Sequence, residues 1–221
     1  MKIARLTSMM LVAILAVGLA VVSVASAAPT FTPTGSTVTG ASTTTSVLTG
    51  GGETVTCAKN VAGGGTVTSA TLVAGITVHF LECTDKTSTG ATCAAASGST
   101  AGLIITNTLH GVLGLVLPKP TSGSDVALIL LPVSGSTFVK ISGTCFTETA
   151  VSGSIAGLAN PIGTKTTKGT LEFGVTSGVQ NIKEVDLSTG GVAKPKLTAF
   201  SETAQEATTD AITFGTATEI T

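Results

Sequence analysis

The side chains with the strongest claim to chemistry are His79, Cys83, Cys93 and His110, a soft nitrogen and sulfur set of the kind zinc accepts. Zinc binds thiolates, however, and an exported chain with an even number of cysteines spends its thiols on disulfides. No metal site is therefore expected, and His79, on a strand face with Thr77 and Leu81, reads as a solvated imidazole. Nucleophilic catalysis needs a serine or cysteine beside a base and an orienting acid. Serines abound, but no Gly-x-Ser-x-Gly elbow and no Ser-x-x-Lys pair occurs. Ser97-Gly98-Ser99 and Ser134-Gly135-Ser136 read as hairpin connections. Glu82 with Asp85, or Glu148 with Glu172, are the carboxylate pairs a glycosidase would use, yet the absence of Trp and Tyr leaves no platform for a sugar face. Asp85 to Gly90 has the first acid and the sixth-position glycine of a calcium loop but lacks its other charged ligands, so a solvated hairpin tip is expected. The chain is read as a non-enzyme, with no catalytic residue, metal or cofactor.

The elements that would hold these groups are strands. Of 221 residues, Gly alone supplies 27, and 42 Thr and 20 Ser dominate the rest, a composition poor in helix formers and rich in strand and turn formers. With 43% hydrophobic residues and almost no net charge, the chain has ample material for a core.

Lys2 and Arg5 precede an uncharged apolar run from Met9 to Val24, followed by Ala25-Ser26-Ala27. Residues 1–27 are expected to be a secretory signal peptide cut after Ala27, because small residues stand at the −3 and −1 positions. No cysteine stands directly after the cut, so no lipid anchor is expected, and no later apolar run reaches membrane length. Beyond residue 27 there are nine lysines, no arginine and twelve acids, a net charge of −3. Without arginine, a basic cluster in the sequence or aromatic platforms, nucleic acid is excluded as a partner.

Four cysteines, Cys57, Cys83, Cys93 and Cys145, allow three pairings. Cys57 and Cys83 each end a strand-like run with one strand between them, which favours Cys57 with Cys83 and Cys93 with Cys145. Cys83 and Cys93 also flank a polar loop that they would close if bonded to each other.

Residues 28–49 are Thr- and Ser-rich and are expected to form an edge strand or a mobile segment; residues 50–221 read as a single all-β domain. Gly50-Gly51-Gly52 and Gly63-Gly64-Gly65 are expected to break the chain. Ile76, Val78 and Phe80 alternate with polar neighbours, as do Leu171, Phe173 and Val175. Leu103 to Ile105, Val112 to Leu117 and Val126 to Leu131 are apolar on both faces and read as central strands. About a dozen short strands predict an antiparallel β-sandwich, with a closed β-barrel as the alternative, Gly/Ser/Thr-rich turns and little or no helix. Ser201 to Ala211 is the one stretch with some helical character.

The order of features from Cys57 onward resembles an uncharacterised family of exported, four-cysteine, strand-rich actinobacterial proteins. The likeness rests on Cys83, Cys93, Ala101 to Leu109, Leu131-Pro132-Val133-Ser134-Gly135, Cys145, Val151 to Ile155, Gly178-Val179-Gln180 and Thr218-Glu219-Ile220. It departs from that pattern after Asp186, where Gly190 and Gly191 stand in a shorter segment. The resemblance implies export and strands and carries no activity onto any residue.

The function expected is that of a secreted or cell-envelope structural or interaction protein, whose partners are protein or envelope polymer. The alternatives are a carrier with an apolar cavity inside a barrel, using Val112 to Leu117 and Val126 to Leu131 as walls, and, with least support, a hydrolase.

Overall fold

The structure, a computed structural model, describes residues 27–221 apart from 87–89, 91 and 121–123. The expected signal sequence, except Ala27, and the tip of the Asp85 to Gly90 loop lie outside the described residues. Everything described is strand, turn or irregular chain, with no helix among the described residues.

The chain opens with β1 (Phe31–Thr32), β2 (Thr37–Ser42) and β3 (Ser46–Gly50), then makes two long strands, β4 (Glu53–Ser69) and β5 (Leu72–Lys86). There follow β6 (Thr92–Ala96), β7 (Ile104–Ile105), β8 (Leu109–Leu117), β9 (Val126–Pro132), β10 (Thr137–Gly143), β11 (Thr149–Gly153), β12 (Ile155–Asn160) and β13 (Thr166–Phe173). A small hairpin, β14 (Val175–Thr176) and β15 (Val179–Gln180), precedes β16 (Glu184–Leu187), β17 (Val192–Ala193), β18 (Leu197–Ala199) and the longest strand, β19 (Glu202–Ile220).

All pairings are antiparallel, and β4, β5 and β19 each serve two levels of the molecule. At one level the neighbours run β19, β2, β4, β5, β8, β9, β12, β13 and back to β19. At the other they run β19, β3, β4, β5, β6, β10, β11, β18 and back to β19. The sheets of the expected sandwich are thus continuous along shared strands, giving a form between a flattened sandwich and a barrel-like ring. Gly64 (φ 77°) and Gly75 (φ 78°) face each other on β4 and β5 and kink this ribbon in step. A Cβ on Gly64 would lie 2.7 Å from the Gly75 carbonyl oxygen, so no larger residue fits.

Four local expectations change. The segment 28–49 is no edge, since β2 lies between β19 and β4. Gly63 to Gly65 sits inside β4 rather than ending it, because its partner strand bends with it. The stretch Ser201 to Ala211 is part of β19: its Ala204, Thr208 and Asp210 are buried, and tertiary pairing overrides its weak helical character. The run Leu103 to Ile105 is covered on one face only, with Ile104 buried and Ile105 37% exposed.

The other two doubly apolar runs are buried on both sides for a specific reason. Leu109, Leu113, Val126 and Leu130 join the main interior, while Val116, Ala127 and Ile129 pack outward against Ile182 and Val185. The covering chain also belongs to the sheet: β16 pairs with β8, from Glu184 opposite Leu117 to Leu187 opposite Gly114, and β17 pairs with β16.

Both disulfides are built into the ladder. Cys57 is bonded to Cys83, its direct cross-strand partner on β5. Cys93 is bonded to Cys145, in the same register that pairs Ser142 with Ala96 and Gly143 with Ala95. The β6 to β10 seam has only those two residue pairs, and the disulfide extends it. Two such bonds mark an oxidising compartment.

Candidate functional site

The strand between β4 and β19 is interrupted: β2 ends at Ser42 and β3 begins at Ser46. Side chains repair the gap. The Asn60 backbone N–H donates to Ser42 Oγ at 2.8 Å, and the Thr209 N–H to Thr44 Oγ1 at 3.0 Å. Inside, Asn60 Nδ2 donates to Ser46 Oγ at 2.9 Å and to Asp210 Oδ1 at 3.0 Å. Ser46 Oγ donates to Thr208 Oγ1 at 3.2 Å, and Thr208 Oγ1 to Asp210 Oδ1 at 3.3 Å.

This cluster forms the polar end of an interior cavity of about 80 Å³, walled by residues such as Val55, Val78, Phe80, Ile104, Phe138 and Ile141. Asn60 is 2% exposed, and its Oδ1 has no hydrogen-bond partner among the described residues. Glu206 lines the same cavity, on the face of β19 it shares with Thr208 and Asp210. Burial, and secondarily the charge of Asp210, pushes the Glu206 carboxyl up to about 8, so at neutral pH it is mostly protonated. Asp210 is also raised by burial, against the opposing pull of hydrogen bonds from Asn60 and Thr208.

Glu206 marks a second interruption, on the opposite edge of β19 between β18 and β13. There Gln180 replaces a strand: its Oε1 accepts from the Glu206 N–H at 3.2 Å, and its Nε2 donates to the Glu206 carbonyl at 3.2 Å. The β14 to β15 hairpin delivers it, turning through Ser177 (φ 52°) and Gly178 (φ 73°), the positive dihedrals a two-residue hairpin favours.

A second acid pair, half-buried Glu53 and buried Asp85, lies at the disulfide level. Asp85 is fully buried, and neither its carboxylate oxygens nor Glu53 Oε2 has a conventional donor among the described residues. Burial, then the neighbouring Glu53, holds the Asp85 carboxyl above its ordinary range, while the Thr54 backbone pulls the other way.

The residues singled out by chemistry are not brought together. Cys83 and Cys93 are oxidised with different partners, so neither offers a thiolate to His79 or His110. His79 pairs with Val61 and Ile105, His110 with Leu131 and Ala74. Glu82 is exposed and ion-paired with Lys59 at 3.1 Å, whereas Asp85 points inward. Glu148 pairs with Lys140 at 3.1 Å, and Glu172 is exposed on β13. Sequence reasoning passed over Asn60, Asp210 and Glu206, whose burial is a matter of long-range register.

No family profile, curated protein or solved structure matches the chain.

Thr170, Ala211, Ala41, Val61, His79 and Ile105 lie in direct cross-strand register over six strands, and all six are exposed. At about 4.8 Å per strand this uncharged row is roughly 24 Å long. Separately, a surface concavity of about 320 Å³ lies between β15, the 194–197 segment and the start of β19. No helix among the described residues is long and apolar enough to cross a membrane.

Proposed function

We propose that this is an exported, non-catalytic interaction protein of the cell envelope or its surroundings, made with a cleaved signal sequence and related to the exported actinobacterial family it resembles. The six-residue row from Thr170 to Ile105 carries this reading. It is a long face free of carboxylates and ammoniums on a disulfide-stapled sheet, suited to lying against a protein or polymer surface.

The test is immunodetection in fractions of the native host, using the wild type and a Val61→Lys/Ala211→Lys variant. The wild type is expected in the envelope or medium with its chain starting at residue 28, and the variant is expected to lose envelope association at an unchanged melting temperature. Retention of the wild type in the cytoplasm overturns export, and unchanged association of the variant overturns the role of the row.

One observation favours the carrier as a second reading: Asn60, whose Oδ1 has no hydrogen-bond partner among the described residues, lines a cavity. At about 80 Å³ it is about half the roughly 150 Å³ engineered cavity that takes benzene, which limits a ligand to a few heavy atoms. Native mass spectrometry of protein from the host separates the two readings by the presence or absence of a bound small molecule.

A further inference from the structure

The concavity of about 320 Å³ beside β15 gathers Lys183, Lys194 and Lys196 in a protein whose net charge beyond residue 27 is −3. All three lysines are exposed, and the floor beneath them is made by buried Ile155, Ile182, Leu197 and Ala204. Among the described residues one ion pair touches this rim, from Lys194 to Glu184 at 2.9 Å; it orients Lys194 and leaves a local surplus of positive charge.

The backbone carrying two of the lysines is held in place. Pro195 fixes its own φ and confines Lys194 to extended geometry, so Lys194 and Lys196 alternate outward past the half-buried proline. The Lys196 carbonyl accepts from the Ser154 N–H at 3.0 Å. Gly153 (φ 113°) permits that approach, because a Cβ there would overlap the same carbonyl. Opposite, the Gln180 side chain ties the β14 to β15 hairpin to β19, so the second wall is fixed as well. Gln205 and Thr203 add hydrogen-bonding side chains to the lining.

No aromatic residue lines the concavity, so neither bases nor sugar faces have anything to stack on. What is offered is point charge. Lysine ammoniums have rotatable donors and lack the planar fork with which arginine grips a carboxylate, and they suit tetrahedral anions approached from several directions. We propose that this groove binds a segment of a phosphate-bearing polymer chain, with Lys183, Lys194 and Lys196 contacting its phosphate oxygens and the apolar floor excluding water beneath it. The site is independent of the Thr170 to Ile105 row.

The test uses the full chain after signal removal, with long-chain inorganic polyphosphate as the probe in low-salt buffer. Three forms are compared by titration calorimetry: wild type, Lys183→Gln/Lys194→Gln/Lys196→Gln, and a charge-matched Lys59→Gln/Lys140→Gln/Lys168→Gln control. Thermal melting checks that each is folded, and a Lys183→Gln single variant serves if the groove triple is not. The groove triple is expected to bind about tenfold or more weakly, and the control within about twofold of wild type, with affinity falling as salt rises. Poly-glutamate is expected to bind more weakly than polyphosphate. Equal losses in both triples, absence of wild-type binding at low salt, or poly-glutamate binding as tight as polyphosphate would each overturn the proposal.

Discussion

Asn60 on β4 donates through Nδ2 to Asp210 on β19 at 3.0 Å, reaching across the gap left where β2 stops and β3 starts. The backbone at that gap is served by Ser42 Oγ and Thr44 Oγ1, which accept from the Asn60 and Thr209 N–H groups. On the other edge of β19 the Gln180 amide bonds the Glu206 backbone and stands in for a strand between β18 and β13. This matters because β19 is shared by both levels of the fold: an unpaired stretch in it would leave buried backbone groups without partners.

Removing the Asn60 amide should therefore be among the more damaging polar substitutions. Asn60→Ala leaves Ser46 Oγ without its donor and Asp210 Oδ1 with Thr208 alone, and it enlarges the cavity, so a loss of about 2 to 4 kcal/mol is expected by urea denaturation. Thr208→Val, which removes one hydroxyl from the same network, should lose about 1 kcal/mol. Equal effects would mean the amide has no special place.

Stability should fall as pH rises. The Glu206 carboxyl is raised from 4.5 to about 8 in the folded protein, so the unfolded chain releases this proton first. The stabilisation is fully present below about 4.5, is lost progressively between 4.5 and about 8, and changes no further above. Asp210 and Asp85, both raised, act in the same direction. Denaturation at pH 5 and pH 8 should show the wild type more stable at the lower pH, and Glu206→Gln, which mimics the neutral acid, should flatten much of that slope.

The two disulfides should differ in what their loss exposes. In the chain-entropy model the 52-residue loop of Cys93 and Cys145 is worth about 4 kcal/mol and the 26-residue loop of Cys57 and Cys83 about 3.5 kcal/mol. The first alone reinforces a seam of two residue pairs, while the second lies in the long β4 to β5 ladder. Hydrogen exchange on a Cys93→Ala/Cys145→Ala variant should show faster exchange at Ala95, Ala96, Ser142 and Gly143. A Cys57→Ala/Cys83→Ala variant should leave those amides protected.

The turn from β18 to β19 offers a gain. Phe200 (φ 52°) and Ser201 (φ 64°) both occupy the left-handed region without being glycine. Phe200 is held there by an edge-on contact with Phe146, centroids 5.4 Å apart, and by its N–H donating to Thr149 Oγ1 at 3.0 Å. Ser201 is exposed. Ser201→Gly should stabilise the protein by about 1 kcal/mol, seen as a higher melting temperature.

Composition and alternation alone determined that the chain is all-β and antiparallel. Thr, Val and Gly in these proportions suit pleats and tight turns, and runs such as Leu171, Glu172 and Phe173 show one wet face in the residues themselves. They also marked β8 and β9 as doubly buried, since a strand covered on both sides must be apolar on both. The tertiary structure alone decided the polar cavity, the acid pair and the lysine groove. Asn60 and Asp210 are 150 positions apart, and nothing local distinguishes a buried asparagine from a surface one. Likewise, the flanking residues of Lys183 and Lys196 do not say that one wall of a groove will meet another. Register between distant strands decides which side chains meet, and it is set by the summed pairing of the whole sheet.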